Sequence, residues 1–123
     1  MHFKSLEGKI LSKIRVDEDK KFLELFVSDD EIYRMDHTQD CCESVYLESI
    51  VGDLEDLIGH PILLAQESTS ENKDEAFEHA TWTFYTVATI RGYVDLRWLG
   101  ESNGFYSESV DFYKKGEPRD DRW

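Results

Sequence analysis

Residues Thr81 to Leu99 read TWTFYTVATIRGYVDLRWL, and this stretch decides the fold. Two runs rich in β-branched and aromatic residues flank Arg91 and Gly92, a two-residue link of the kind that closes a hairpin. The register this link implies pairs Ile90 with Tyr93, Val87 with Leu96 and Tyr85 with Trp98. Alternation then gathers Tyr85, Val87, Val94, Leu96 and Trp98 on one core face. The opposite face sets Thr86 beside Arg97 and Ala88 beside Asp95, with Trp82, Phe84 and Leu99 at its far end.

Outward from the hairpin, the chain keeps a strand-and-turn rhythm. Lys9 to Val16 alternates Ile10, Ile14 and Val16 against Lys9, Lys13 and Arg15, with Leu11 the exception. Lys20 to Val27 is apolar on both faces, Leu23, Leu25 and Val27 on one and Phe22 and Phe26 around Glu24 on the other. Its outer side therefore needs a cover from a helix, a later segment or a second subunit, and the last would make a homodimer. Glu31 to His37 is a short third strand. Thr38, Gln39 and Asp40 are turn residues, and Glu43 to Ser49 is a further strand. Asp53 to Gly59, DLEDLIG, is a helical turn or two, with Asp53 as N-cap, Leu54, Leu57 and Ile58 on the buried side and Gly59 at the C-cap. Ile62 to Glu67 is a strand, Ser68 to His79 a long polar loop, Gly100 to Gly104 a turn, and Phe105 to Phe112 a last strand. Residues 113–123 form a frayed, charged tail. The fold class expected is α+β and β-dominated, a curled, mostly antiparallel sheet or small sandwich of seven or eight strands with one short helix. At 123 residues the chain is expected to be a single domain.

The composition, 40% hydrophobic and 13% aromatic, supports a packed core. Of the net charge of −13, most sits in the middle third, Cys42 to Trp82, where ten acids face one base. Direct nucleic-acid binding needs clustered Lys and Arg and is disfavoured. No run is long and apolar enough for a membrane span, and Met1 to Ile10 lacks the apolar core of a signal peptide, so a cytoplasmic location is expected. Adjacent Cys41 and Cys42 are expected as reduced thiols, since neighbouring Cα atoms sit closer than ordinary bridge geometry prefers.

Three groups of residues carry candidate chemistry. His37, Cys41 and Cys42, with Asp40 and Glu43, are zinc-ligand types, but a second ligand pair is missing, and a turn-forming cysteine pair is the commoner use. A nucleophile and base drawn from the same group also needs an orienting group and an oxyanion site, which a sequence does not display, so no catalytic residue is assigned and no cofactor is expected. The segment from Asp95 to Glu108 concentrates Arg97, Glu101, Asn103, Tyr106 and Glu108, a rim for a protein or a pocket for a small ligand. Against this, Trp98 reads as core and Asn103–Gly104 as a plain turn. Lastly, carboxylates two apart on a strand lie about 6.6 Å apart, close to the spacing of successive phosphates, so Asp29, Glu31, Glu43, Glu48, Asp53, Glu55 and Asp56 are candidates for a surface that mimics a nucleic-acid backbone. Asp40, Glu43, Glu48, Asp53, Glu55 and Asp56 are expected to bind the partner, for which the bland alternative is a solvated surface that aids solubility.

The blocks HTQDCCESVYLESIVGDLEDLIGHPILLAQES (37–68) and TWTFYTVATIRGYVDLRWLGESNGFYSESVDF (81–112) resemble a family of small, uncharacterised phage and prophage proteins. That resemblance implies a small, acidic, single-domain phage product. By analogy of lifestyle, it implies a protein that counters host defences. The functional expectation is a non-enzymatic protein that inhibits a host factor, a CRISPR or other defence nuclease, through its acidic middle. Two alternatives stand beside it, a nucleotide-type ligand protein or enzyme using Arg97 to Glu108, and a structural or assembly protein of the virion.

Overall fold

The computed structural model describes residues 2–73, 79–103 and 106–117. Among them the chain forms eight strands, β1 (Lys13–Val16), β2 (Phe22–Ser28), β3 (Glu31–Asp36), β4 (Ser44–Val51), β5 (Leu64–Lys73), β6 (His79–Thr89), β7 (Gly92–Ser102) and β8 (Asp111–Lys114). Two four-stranded antiparallel sheets result, ordered β1-β2-β3-β8 and β4-β7-β6-β5. The chain thus crosses from the first sheet to the second after β3 and returns after β7. No α-helix is present among the described residues. The expected short helix is a 3-10 turn, Leu54–Leu57, which Asp53 caps by accepting the Glu55 N–H, and a second 3-10 turn spans Phe3–Leu6. None is long and apolar enough to cross a membrane.

Alternation works as elementary strand geometry requires. Leu23, Leu25, Tyr33, Met35 and Phe112 of the first sheet merge in one apolar cluster with Val45, Leu47, Tyr85, Val87, Val94, Leu96 and Trp98 of the second. Phe3 bridges them, its ring 4.6 Å from Tyr85 and 5.2 Å from Phe112. The core face expected of the hairpin is therefore present, but its partners are displaced by two residues. Val87 faces Val94, Tyr85 faces Leu96 and Thr83 faces Trp98. The reason lies in the turn, which is made by Ile90 and Arg91 rather than Arg91 and Gly92. Thr89 Oγ1 accepts the Arg91 N–H and donates to the Asp56 carbonyl, so Thr89 closes the ladder opposite Gly92 at φ +151°. A slip of two preserves every side chain's face, which is why the core survived it.

Other boundaries change for identifiable reasons. Ser68 to Lys73, expected as loop, continues β5 in unbroken register with β6. Its side chains from Ser68 to Glu71 are all exposed, so no apolar alternation marked it, and residues 74–78 of that expected loop lie outside the described residues. Gly100 and Glu101 belong to β7 rather than to a turn, while Gly104 lies outside the described residues. Ser107 to Val110 is not strand, because Ser107 Oγ takes the Ser109 N–H in a local turn. Residues 113–117 are not frayed. Tyr113 and Lys114 complete β8, and Lys115 reaches Glu24 at 3.0 Å; 118–123 lie outside the described residues. Ile10, expected inside, is 49% exposed, and Leu11 is buried instead.

The outer face of β2 is covered by the chain's own cations. The Arg34 guanidinium lies 4.0 Å over the Phe22 ring, Arg15 shares that ring, and Lys13 lies over Phe26. Between the rings Glu24 is fully buried, facing Lys115, Arg34 and Arg15. Burial pushes its carboxyl up, but Lys115, then Arg34 and Arg15, outweigh this and hold it below the usual carboxylate range.

Gly100 sets how the return segment seats. A Cβ there would come within 2.6 Å of the Glu108 carbonyl oxygen and 2.7 Å of the Glu108 Cβ. Gly100→Ala is expected to cost about 1–3 kcal/mol by overpacking, read as a lower midpoint in urea denaturation with an unchanged slope.

Candidate functional site

The two crossovers between the sheets meet at His37, at the end of β3. Its Nε2 lies 2.7 Å from Glu43 Oε2 and its Nδ1 lies 2.7 Å from the Ser109 carbonyl, in the returning segment. Both neighbours are acceptors, so each ring nitrogen faces a group to which an N–H can donate. Glu43 also takes the N–H groups of Asp40 and Cys41 and the Gln39 amide. The hydrogen bond from His37 is the main cause, against burial and with the Cys41 and Asp40 N–H groups, that holds the Glu43 carboxyl down to about 2.

This arrangement corrects two expectations. Glu43 is buried and cannot belong to an acidic surface. Its carboxylate accepts the N–H groups of the 40–43 turn, and within that turn the Cys41 and Cys42 sulfurs are bonded rather than reduced. The zinc-ligand group of His37, Cys41 and Cys42 therefore has its donor atoms engaged with one another, with Ser109 and with Glu43.

The remaining acids divide between the two ends of the second sheet. Asp40 is exposed before β4, and Glu101, exposed, faces Ser44 at the start of that strand. Asp53, Glu55 and Asp56 lie beyond its other end, eight residues away along β4, or about 26 Å of strand. Glu48 stands at the bulge between them and is bound to Arg97 at 2.7 Å. Arg97 leans over Trp82 and, first among the causes, lowers the Glu48 carboxyl. This half-exposed pair contributes little to stability. Trp98 is fully buried in the core.

The structure does bring most of the second candidate group together. A cleft of about 450 Å³ opens between the Cys41–Cys42 turn and the end of β7, lined by Cys42, Ser44, His79, Glu101, Ser102, Asn103 and Tyr106. Glu108 is buried beside it, accepting from the Thr81 and Ser102 hydroxyls. Arg97 does not line it. Among the described residues no lysine or arginine does, so the cleft is suited to a cation or a hydrogen-bond donor rather than to phosphate. Cys42, Ser44 and His79 were not foreseen as neighbours of Glu101. The signal was the hairpin register, because His79 faces Ser102 only when the pairing is displaced by two and β6 runs past Thr81.

The lowered Glu43 carboxyl stabilises the fold above the unfolded value near 4.5, and that contribution is lost as pH falls toward about 2. Glu43→Gln is expected to lower the melting temperature at pH 7 and to flatten the acid limb between those values. A pH series of thermal melts checks this, and an acid limb as steep as the wild type's counts against the assignment.

No curated protein and no solved structure matches the chain. Residues 4–112 match the family model described as a domain of unknown function, DUF7448, which covers most of the chain, and the protein belongs to that family.

Proposed function

We propose that this protein is a non-catalytic binding protein that takes a lysine or arginine of a basic partner into the cleft at Glu101. One observation carries the reading, a hydrogen-bonding cleft that no cation lines among the described residues, on a chain of net charge −13. Such a chain draws positively charged surfaces toward itself over a Debye length. Inside the cleft Glu101 supplies charge, Ser44, Ser102 and Asn103 supply hydrogen-bonding groups, and Tyr106 supplies a flat wall. Asp40, exposed two residues before Cys42, extends the acidic rim.

The finer reading is that the protein is a phage product and the partner a host defence nuclease, CRISPR-associated or other, whose nucleic-acid groove presents the required basic residues. The resemblance of the 37–68 and 81–112 blocks to phage proteins motivates it. A nucleotide ligand is less suited to the same cleft, since Arg97 is committed to Glu48 and Trp82.

DNA cleavage by purified defence nucleases, measured with increasing amounts of this protein, tests the proposal. Inhibition is expected, weakened about tenfold or more by the double variant Asp40→Lys, Glu101→Lys because like charges then meet. A double variant as inhibitory as the wild type, or no inhibition of any nuclease, sinks it.

A further inference from the structure

Four edges bound the two sheets, and three are short or protected in ways that natural sheets use against stray pairing. β1 and β8 are four residues long. β4 is bulged at Glu48, and its Leu47 N–H donates to the Lys20 carbonyl at 2.7 Å. β5 differs from all of them. It runs ten residues without proline, in continuous register with β6. Cover comes at its start, where the Ala65 N–H donates to the Glu7 carboxylate at 3.1 Å. From Gln66 to Glu71 every residue is exposed.

Hairpin parity identifies the groups at this edge. Thr89 and Gly92 close the β6–β7 ladder, so odd-numbered residues of β6 bond β7 and even-numbered ones bond β5. β5 accordingly bonds β6 through Gln66, Ser68 and Ser70, and turns the backbone N–H and C=O of Glu67 and Thr69 outward. The outward bond of Ala65 to Glu7 has the same parity.

We propose that β5 is a strand-addition site that receives an extended segment of a partner protein with arginine or lysine at alternate positions. The outward backbone groups give affinity, and the exposed Glu67 selects the charge. At the Ala65 end the edge meets a hollow of about 520 Å³ lined by His2, Lys4, Gln66, Glu67, Phe84 and Thr86, among others. A second copy of the chain is the poorer occupant, because each copy carries −13. This site is separate from the Glu101 cleft and does not depend on it.

An eight-residue peptide alternating arginine and threonine, titrated into isotope-labelled protein, tests the site. Slowed amide exchange at Glu67 and Thr69 is expected. Thr69→Pro removes an outward N–H and not a β6 ladder bond, so it is expected to weaken peptide binding about tenfold or more while the melting temperature stays near the wild type's. Ser68→Pro, which breaks the ladder, is the folding control, and Glu67→Lys weakens binding with the backbone intact. Three results overturn the proposal: no binding of this peptide, undiminished binding by both Thr69→Pro and Glu67→Lys, or protection of these amides that appears without peptide and grows with protein concentration, which assigns the edge to a second copy.

Discussion

The buried contact between His37 and Glu43 is the constraint on which the rest of the structure depends. The chain leaves one sheet through residues 37–43 and returns to it through the segment that contains Ser109, and the His37 ring bonds both passages. Thr38 adds a second tie by donating to Asp111 at the start of β8. A carboxylate removed from water at this place is tolerated because a ring N–H, two backbone N–H groups and the Gln39 amide replace its hydration. The two sheets, their shared core and the cleft beside Cys42 all assume the spacing that this junction sets.

Charge is handled in two opposite ways on the two sheets. On the first, cations lie over aromatic rings and enclose Glu24, so that the outer face closes upon itself. On the second, exposed acids stand at the ends of β4 and β7 and along β5, and Arg97 is taken up by Glu48 and Trp82. The acidic character visible in the composition is thus presented at the rim of the cleft and along the β5 edge strand, rather than spread as one continuous surface.

Much of the architecture was legible because burial on one face leaves a period of two. The hairpin core from Tyr85 to Trp98, the faces of β2 and β3 and the Asp53 cap all follow from that signal or from capping chemistry. It failed where burial does not alternate. β5 beyond Glu67 is exposed on both faces, so a strand there looks like a loop. Glu43 looked like surface because a carboxylate is buried only when several donors converge on it, and the ring of one of them, His37, is held by Ser109, 72 positions later in the chain. Likewise the partners of Glu101 depended on a register that the Thr89 hydroxyl set from outside the turn.

By itself, then, the sequence determined that the chain is β-dominated, which residues of its clearest strands face inward, and that its charge is strongly negative, since these follow from periodicity and composition. Only the tertiary structure decided which acids are buried and which are presented, that His37 joins the two crossovers, and that β5 lies at the edge of its sheet. Those outcomes rest on contacts between residues far apart in the chain, where the free energy of burying a charged or polar group depends on partners that no local pattern encodes.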